Sequence, residues 1–434
     1  MKLTNNGLQE IKLGEFFFKL GLFFLLSIPI LSGFFLTIAS IFSISTNKIN
    51  YFTSVWNKYF FSAGIFLVLS ATIVSFRNGS NVINPLVNWI GLINWIPYLI
   101  FYWAFKPYLN DHQQRRKIIF LTLIGSIPLI VTGIGQYFFD WHGPIILLNG
   151  FITWFQRPIN PTGGLTGLFN NENYSSLWLL ILWPMGLACI KDKQLSKRNR
   201  LFFLLITGLT FLCTLLTRAK MARIQLIISY ILTFFRDKFI LFIPLLVIIL
   251  ILLCILFIPQ FINNFDKPLN ILSRLDDLKI YEFIENIDFL TRIKIWKIAI
   301  NSILAKPFFG WGATTFPLIF SSYVDEYVIT HTHNIFLELS FNYGILSSIL
   351  LTIPVLSILF LAFKVIFRNY HKRISQKTIY DGAWWIACFN IIISHMIDIQ
   401  YYDFRISMIF WILLAGLGNI TEENRYKNKP NYSN

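Results

Sequence analysis

Apolar residues run along this chain in long unbroken stretches, not in the short alternating or every-third-residue patterns of half-buried elements. The runs at 59–76, 86–105, 118–137, 174–190, 201–217, 221–235, 239–258, 345–367, 383–400 and 404–419 each come near the roughly 20 residues a helix needs to cross a bilayer. The first interval, 16–44, is too long for one upright span and holds Pro29 and Gly33. It reads either as one tilted helix or as a hairpin of two. Two stretches interrupt the pattern. In 138–173, Pro158, Pro161, Gly163, Gly164 and Gly167 break helix repeatedly, while 145–155 is apolar enough to lie in the membrane interface or re-enter it. In 259–334, apolar residues return at helical spacing over 280–304 (Ile280, Ile284, Ile287, Leu290, Ile293, Trp296, Ile300, Leu304), interleaved with Lys, Asp and Glu. That spacing predicts one or two amphipathic helices lying on the membrane or on the bundle.

Composition and charge sharpen this into an all-α integral membrane protein. Only 13% of residues are charged and 55% are hydrophobic, whereas a soluble domain carries roughly 25% charged residues. The net charge of +16 is scattered over short loops and forms no single basic face, so it speaks for membrane orientation and against nucleic-acid binding. If 16–44 is a hairpin, the clusters around Lys106/Arg115/Arg116/Lys117, Lys191/Lys193/Lys197/Arg198/Arg200, Arg236/Lys238 and Lys364/Arg368/Lys372/Arg373/Lys377 share one side with both termini. That side is cytoplasmic by the positive-inside rule; a single first span would put most of them outside. The expected organisation has roughly 12 spans (11–12) by the length criterion. An N-terminal bundle takes up 1–258 with an extracytoplasmic loop at 138–173, a large periplasmic loop 259–334, C-terminal helices 335–419 and a cytoplasmic tail 420–434.

The candidate chemistry is sparse. Cys189, Cys213, Cys254 and Cys388 all sit in apolar runs without metal-ligand spacing and read as small buried residues. No D-x-D pair, Walker loop or G-x-G-x-x-G occurs, which removes support for nucleotide-sugar, ATP and dinucleotide chemistry. Arg218, Lys220 and Arg223, in TRAKMAR, stand at the extracytoplasmic edge, against the orientation rule. They either snorkel to lipid headgroups or form a phosphate clamp. Arg292 shares a helical face with Trp296, as part of an ordinary amphipathic helix or as a second cation over the same site. His331 and His333 flank Thr332, and alternation puts both on one side of an extended segment. They read as backbone-bonded loop histidines, as metal ligands lacking a familiar spacing, or as a neutral imidazole able to take a proton from a hydroxyl. Asn334 is placed to cap the helix that follows. His395 and Asp398, at i and i+3, read as a pair within the bundle.

Four segments in order carry a resemblance. GLTGLFNNENYSSLWLLILWPM, from Gly164, is similar to a G-x-F-x-N-x-N segment entering a span. LTRAKMARIQL is similar to a T-S-R-[GA] segment, keeping Thr217 and Arg218 but with Lys220 where a small residue is common. LTRIKIWKIAINSILAKPFFGWGATTF is similar to R-x-x-x-W…P-[LF]-x-G-x-G-x-x-F. HTHNIFLELSFNYGILSSIL is similar to H-N-x-[FL]-L-[QE]-x-x-x-x-x-G-[IL]-x-G, with Ser347 or Ser348 in place of the last Gly. Together they resemble the O-antigen ligase and O-antigen polymerase superfamily of polytopic bacterial membrane glycosyltransferases, over about 164–351.

That resemblance implies an enzyme of the bacterial inner (plasma) membrane, active at the periplasmic face. Its donor would be a polyprenyl-diphosphate-linked glycan, its acceptor lipid A-core, another glycan or a protein, and membrane lipids its surroundings. Neither cofactor nor metal is implied. Arg218 and Arg292 would hold the diphosphate and His333 would activate the acceptor hydroxyl. Arg223, Asn170, Asn173, Trp296 and His331 would help bind substrate, and a single displacement would invert the anomeric carbon. A transporter of a small anion or lipid-linked sugar is the alternative. Arginines near a membrane edge suit it, but paired broken helices in two corresponding halves are not found.

Overall fold

The computed structural model describes residues 5–46, 51–77, 85–159, 163–234, 289–323, 329–368 and 376–427. The helices are α1 (Asn5–Phe24), α2 (Pro29–Thr46), α3 (Val55–Arg77), α4 (Pro85–Gly91), α5 (Ile96–Phe105), α6 (His112–Gly125) and α7 (Ile127–Phe139). They continue with α8 (Glu172–Lys191), α9 (Lys197–Leu216), α10 (Lys220–Phe234), α11 (Phe289–Ala305), α12 (Phe316–Ser321) and α13 (Ile335–Tyr343). Last come α14 (Ile345–Arg368), α15 (Gln376–His395) and α16 (Phe404–Lys427). Among the described residues, the exception to helix is a two-stranded antiparallel hairpin, β1 (Ile145–Leu147) with β2 (Ile152–Trp154).

The protein is an all-α, multi-pass membrane protein. Eight segments among the described residues are long and apolar enough to cross a bilayer: α2, α3, 85–109, 112–139, α8, α9, α14 and most of α16. The expected span at 239–258, the first part of the predicted amphipathic stretch, with Ile280, Ile284 and Ile287, and the end of the tail lie outside the described residues. The interval 16–44 is a hairpin: Pro29 opens α2, where its missing N–H costs nothing, and Ser32 Oγ donates to Gly21 O at 2.7 Å. Two apolar runs expected as single helices are broken, one between α4 and α5 and one at Ser126 between α6 and α7. In each case a proline occupies the first turn of the second piece and cannot supply a helix-interior N–H.

Burial separates central helices from lipid-facing ones. The apolar windows of α8 and α16 are 78% and 94% buried, against 33% for α2, α3, α9 and α14. Trp178, Trp384 and Trp411 fill the centre, and the buried Cys189, Cys213 and Cys388 are free thiols. Polar side chains join the inner helices. Gln225 on α10 bonds Ser394 on α15 at 3.1 Å; one turn away, Asn390 Nδ2 donates to Ser229 Oγ at 2.9 Å and to Leu180 O at 3.0 Å. In an apolar bundle such bonds contribute about 0.6–2 kcal/mol each and fix helix rotation.

One end of the bundle is held by ion pairs. Arg115, fully buried, forks onto Asp381 at 2.9 and 3.3 Å and reaches Glu423 at 3.0 Å. Lys106–Glu422 (2.7 Å), Arg116–Asp192 (2.8 Å) and Lys377–Glu423 (2.8 Å) stand around it. Described parts of three segments that the charge rule groups on one side, around Arg115, Asp192 and Lys377, thus meet at one end. The opposite end gathers the start of α8, the α9–α10 corner, α13 and the α15–α16 turn.

Candidate active site

At that opposite end three irregular segments converge on a cleft of about 390 Å³, lined by Arg157, Asn170, Asn171, Asn173, Tyr174, Ile329, Thr330, His331, His333 and Asp398. Each segment is positioned by backbone bonding that its sequence dictates.

The His331–Asn334 turn is locked to α13. Asn334 caps that helix as expected, its side-chain oxygen accepting from Phe336 N (3.0 Å) and Leu337 N (3.1 Å). Glu338, buried in the first turn of α13, accepts from Thr332 N (3.0 Å), Tyr402 OH (2.9 Å) and Asn342 Nδ2 (3.0 Å). His333 has φ 54°, so the chain is a tight turn here and not the extended segment expected. The two imidazoles are still neighbours, with centroids 4.2 Å apart. At its other end α13 is closed by the Pro-Phe-Phe-Gly-Trp-Gly turn: Trp311 N donates to Phe341 O (2.8 Å) and Gly312 N to Asn342 O (3.0 Å). Gly310 (φ 69°) is required, because a Cβ there would strike the backbone of Phe341 and Asn342.

The asparagine loop is gripped from two sides. Gln136, near the end of α7, accepts from Thr166 N and Gly167 N (2.9 Å each) and donates to Thr166 Oγ1 (2.9 Å) and Arg157 O (2.5 Å). Arg405 donates to Leu168 O (3.2 Å), lies over the Phe169 ring at 3.8 Å and is forked onto Asp403. Gly164 leaves no room for a Cβ against Thr217, and Leu165 N donates to Leu216 O (3.0 Å), which docks the loop on the corner leading to Arg218. Asn171 then caps α8.

The third segment is the turn after α15. Asp398 is not on that helix, which ends at His395, and its carboxylate hydrogen-bonds His333 in place of the expected His395. Met396 to Gln400 leaves the helix and turns the carboxylate toward the cleft. Asp398 Oδ1 lies 2.8 Å from His333 Nδ1 and accepts from Ile399 N at 2.9 Å. Its Oδ2 accepts from Asn173 Nδ2 (3.0 Å) and Gln400 Nε2 (3.4 Å). Burial pushes this carboxyl up, but the hydrogen bond and charge of His333 outweigh that and hold it at about 2. An ionised carboxylate only accepts, so the proton shared with it sits on His333 Nδ1, and Nε2 is the ring nitrogen that Asp398 does not engage. His333 N in turn donates to His331 Nδ1 at 3.2 Å. Burial first, and the neighbouring His333 second, lower His331 to about 4, so it is neutral at pH 7 with its proton on Nε2.

The predicted site residues fall into three groups. Asn170, Asn173, His331 and His333 line the cleft. Arg292, half-buried on α11, lies beside it: its Nη1 donates to Ile397 O at 2.7 Å, adjacent to Asp398. Arg218, Arg223 and Trp296 do not line it. Arg218 is exposed at the α9–α10 corner with φ 59°, Arg223 is exposed on α10, and Trp296 packs against the cluster of Ile295, Ala299, Ile303 and Phe316. Arg157 and Asp398 are the cleft's charged residues outside the predicted site set: Arg157 is not singled out by the sequence, and Asp398 only as a partner of His395. His331, His333 and Asp398 offer ligand atoms within 4.8 Å of one another, enough to touch one cation. In the arrangement described, His333 and Asp398 already bond each other, and a cation would have to replace that bond.

Residues 203–352 match the family model described as O-antigen ligase. Comparison with curated proteins gives no match. The matched stretch includes Arg218, Arg292 and His333, while Asn173 and Asp398, which complete the cleft, lie outside it. Over that stretch, with these three residues inside it and membrane helices around them, the chain is similar to the O-antigen ligase family.

Proposed function

We propose that this protein transfers a glycan from a polyprenyl diphosphate to an acceptor hydroxyl, at the periplasmic face of the inner membrane, without a metal. The observation that carries the reading is the His333–Asp398 pair facing an open cleft, with the His333 Nε2 lone pair unused by Asp398. In the proposed step the acceptor oxygen attacks the anomeric carbon as the bond from that carbon to the diphosphate oxygen breaks. His333 Nε2 takes the hydroxyl proton, and Asp398 stabilises the imidazolium that results. The departing polyprenyl diphosphate gains negative charge, which Arg292 and Arg157 would offset, while Arg218, outside the cleft wall, is the more distant cation. His331 Nε2–H is a neutral donor for a sugar or phosphate oxygen. One displacement inverts the anomeric configuration. Lipid A-core, a second glycan or a protein would each present a suitable hydroxyl.

The test is reconstitution in liposomes with a polyprenyl-diphosphate oligosaccharide and candidate acceptors, followed by mass spectrometry of the products. Transfer that is lost in His333→Ala and yields the inverted linkage supports the reading. Unchanged transfer in His333→Ala, or retention of configuration, overturns it.

A further inference from the structure

The β1–β2 hairpin has no place in the chemistry above, yet its composition is unusual for a loop between helices. From Trp141 to Gln156 the chain carries no Asp, Glu, Lys or Arg. Ile146 is 60% and Leu148 73% exposed, and Leu147, Phe151 and Phe155 are exposed beside them. Loop tips in water are polar, and a contiguous apolar tip marks a contact with something apolar.

The base of the hairpin is fixed. Gly143 N donates to Gln156 O at 2.7 Å, and Gln156 Nε2 donates to Trp141 O (2.9 Å) and Thr132 O (3.1 Å). Trp154 Nε1 donates to Ser27 O at 2.8 Å, in the turn between α1 and α2. The apolar tip is therefore carried on a braced stem. Exposed apolar surface on the neighbouring spans continues onto it: Phe138 and Phe139 end α7, with Trp141 just beyond, and Ile30 and Phe34 face outward on α2. These span surfaces face lipid, and tryptophans at the stem suit the headgroup level.

We infer that the hairpin is an interfacial anchor whose tip, Leu147 to Phe151, lies in the lipid leaflet on the cleft side of the bundle. Three residues of strand rise about 10 Å, which matches the roughly 5–10 Å depth that interfacial elements reach. At that depth water and headgroups still satisfy the outer edges of the strands, which the hydrocarbon core could not. Strand β2 runs directly into Gln156 and Arg157, so the anchor sets the Arg157 side of the cleft at headgroup depth.

The full-length chain with its four cysteines replaced by Ala, carrying bimane on Leu148→Cys, is reconstituted in phosphatidylcholine–phosphatidylglycerol nanodiscs. Chain-doxylated lipid should quench this label at least about twofold more than the same label on His142→Cys, and iodide should quench it less. Equal iodide quenching at the two positions overturns the inference, as does shielding of Leu148 from both quenchers, the sign of a second copy covering the tip. Should the cysteine replacements prevent folding, benzoylphenylalanine at position 148 of the native-cysteine chain serves instead. Phospholipid adducts support the anchor and adducts to protein alone overturn it. Neither measurement needs turnover, so its outcome is independent of the transferase reading.

Discussion

Asp398 Oδ1 stands 2.8 Å from His333 Nδ1, although 65 positions separate the two in the chain. Each residue is presented by a turn at the end of a helix, and each turn has its own supports. The pairing orients an imidazole and chooses its tautomer, which is the part of acid–base chemistry that a lone loop histidine lacks.

Asp398→Asn keeps the side chain's shape and removes the charge that selects the tautomer. Transfer should slow by about 10²–10⁴ with little change in donor affinity. Steady-state kinetics with lipid-linked donor check this; a variant within twofold of wild type would exclude Asp398 from the step.

Arg292→Ala removes both a cation beside Asp398 and the 2.7 Å bond to Ile397 O. Binding of the lipid-linked diphosphate should weaken by about tenfold or more, given roughly 1.5–3 kcal/mol per charged hydrogen bond. Arg292→Lys should recover only part, having charge without the planar fork. Donor titration in nanodiscs separates the two.

Glu338→Ala leaves Thr332 N without its acceptor, at about 1–3 kcal/mol for a donor left buried, and takes from Tyr402 OH and Asn342 Nδ2 their shorter bonds. Thermal unfolding in detergent should move down markedly. Glu338→Gln keeps an acceptor for Thr332 N and should recover part of the loss.

Gly310→Ala forces a Cβ onto the backbone of α13 at φ 69°. Strain of this kind costs about 1–3 kcal/mol, so both melting temperature and transfer rate should fall. The same change at Gly208, where a Cβ would meet nothing within 4 Å, should leave both alone.

His331 is held at about 4 in the folded protein against 6.5 for an ordinary histidine. Between those values the unfolded chain binds more protons than the folded one, so stability rises with pH across that window and is fully present above it. Melting curves should show this slope between pH 4 and 6.5, and His331→Asn should lessen it. Asp398, depressed to about 2, adds stability above about pH 3.9 that is lost as pH falls through 2.

What could be read in advance followed from local rules. Among the described residues, apolar runs of span length became helices with ends displaced by a few residues, two of them broken ahead of a proline, and Asn334 was recognisable as a cap because capping is a contact between near neighbours. The hairpin of α1 and α2 was legible from length and Pro29 together with charge. The half of the cleft pair that Asp398 supplies was not legible as such. Spacing on paper put it on a helix with His395, whereas the helix stops first and the carboxylate turns toward a histidine from another segment. Gln136 and Arg405 escaped notice for a related reason: a polar residue near a span end looks the same in sequence whether it faces headgroups or holds a loop. Arg157 sat among prolines and glycines whose course no periodicity predicts. Arg218 was conspicuous for its charge at a membrane edge, and the structure sets it at a corner docked on the asparagine loop and not in the cleft wall.

The Trp311 and Gly312 amides that close α13 are main-chain donors, and the carbonyls they meet are main-chain acceptors. The helix that follows the His331–Asn334 turn is therefore seated through backbone and two glycines, apart from the cleft-lining His331 and Asp398 side chains that bond His333 itself. On the transferase proposal, Asn170 is the cleft residue to exchange for altering substrate range while the imidazole stays where it is. Tyr174, whose OH donates to Ile399 O beside Asp398, belongs instead to the support of the pair.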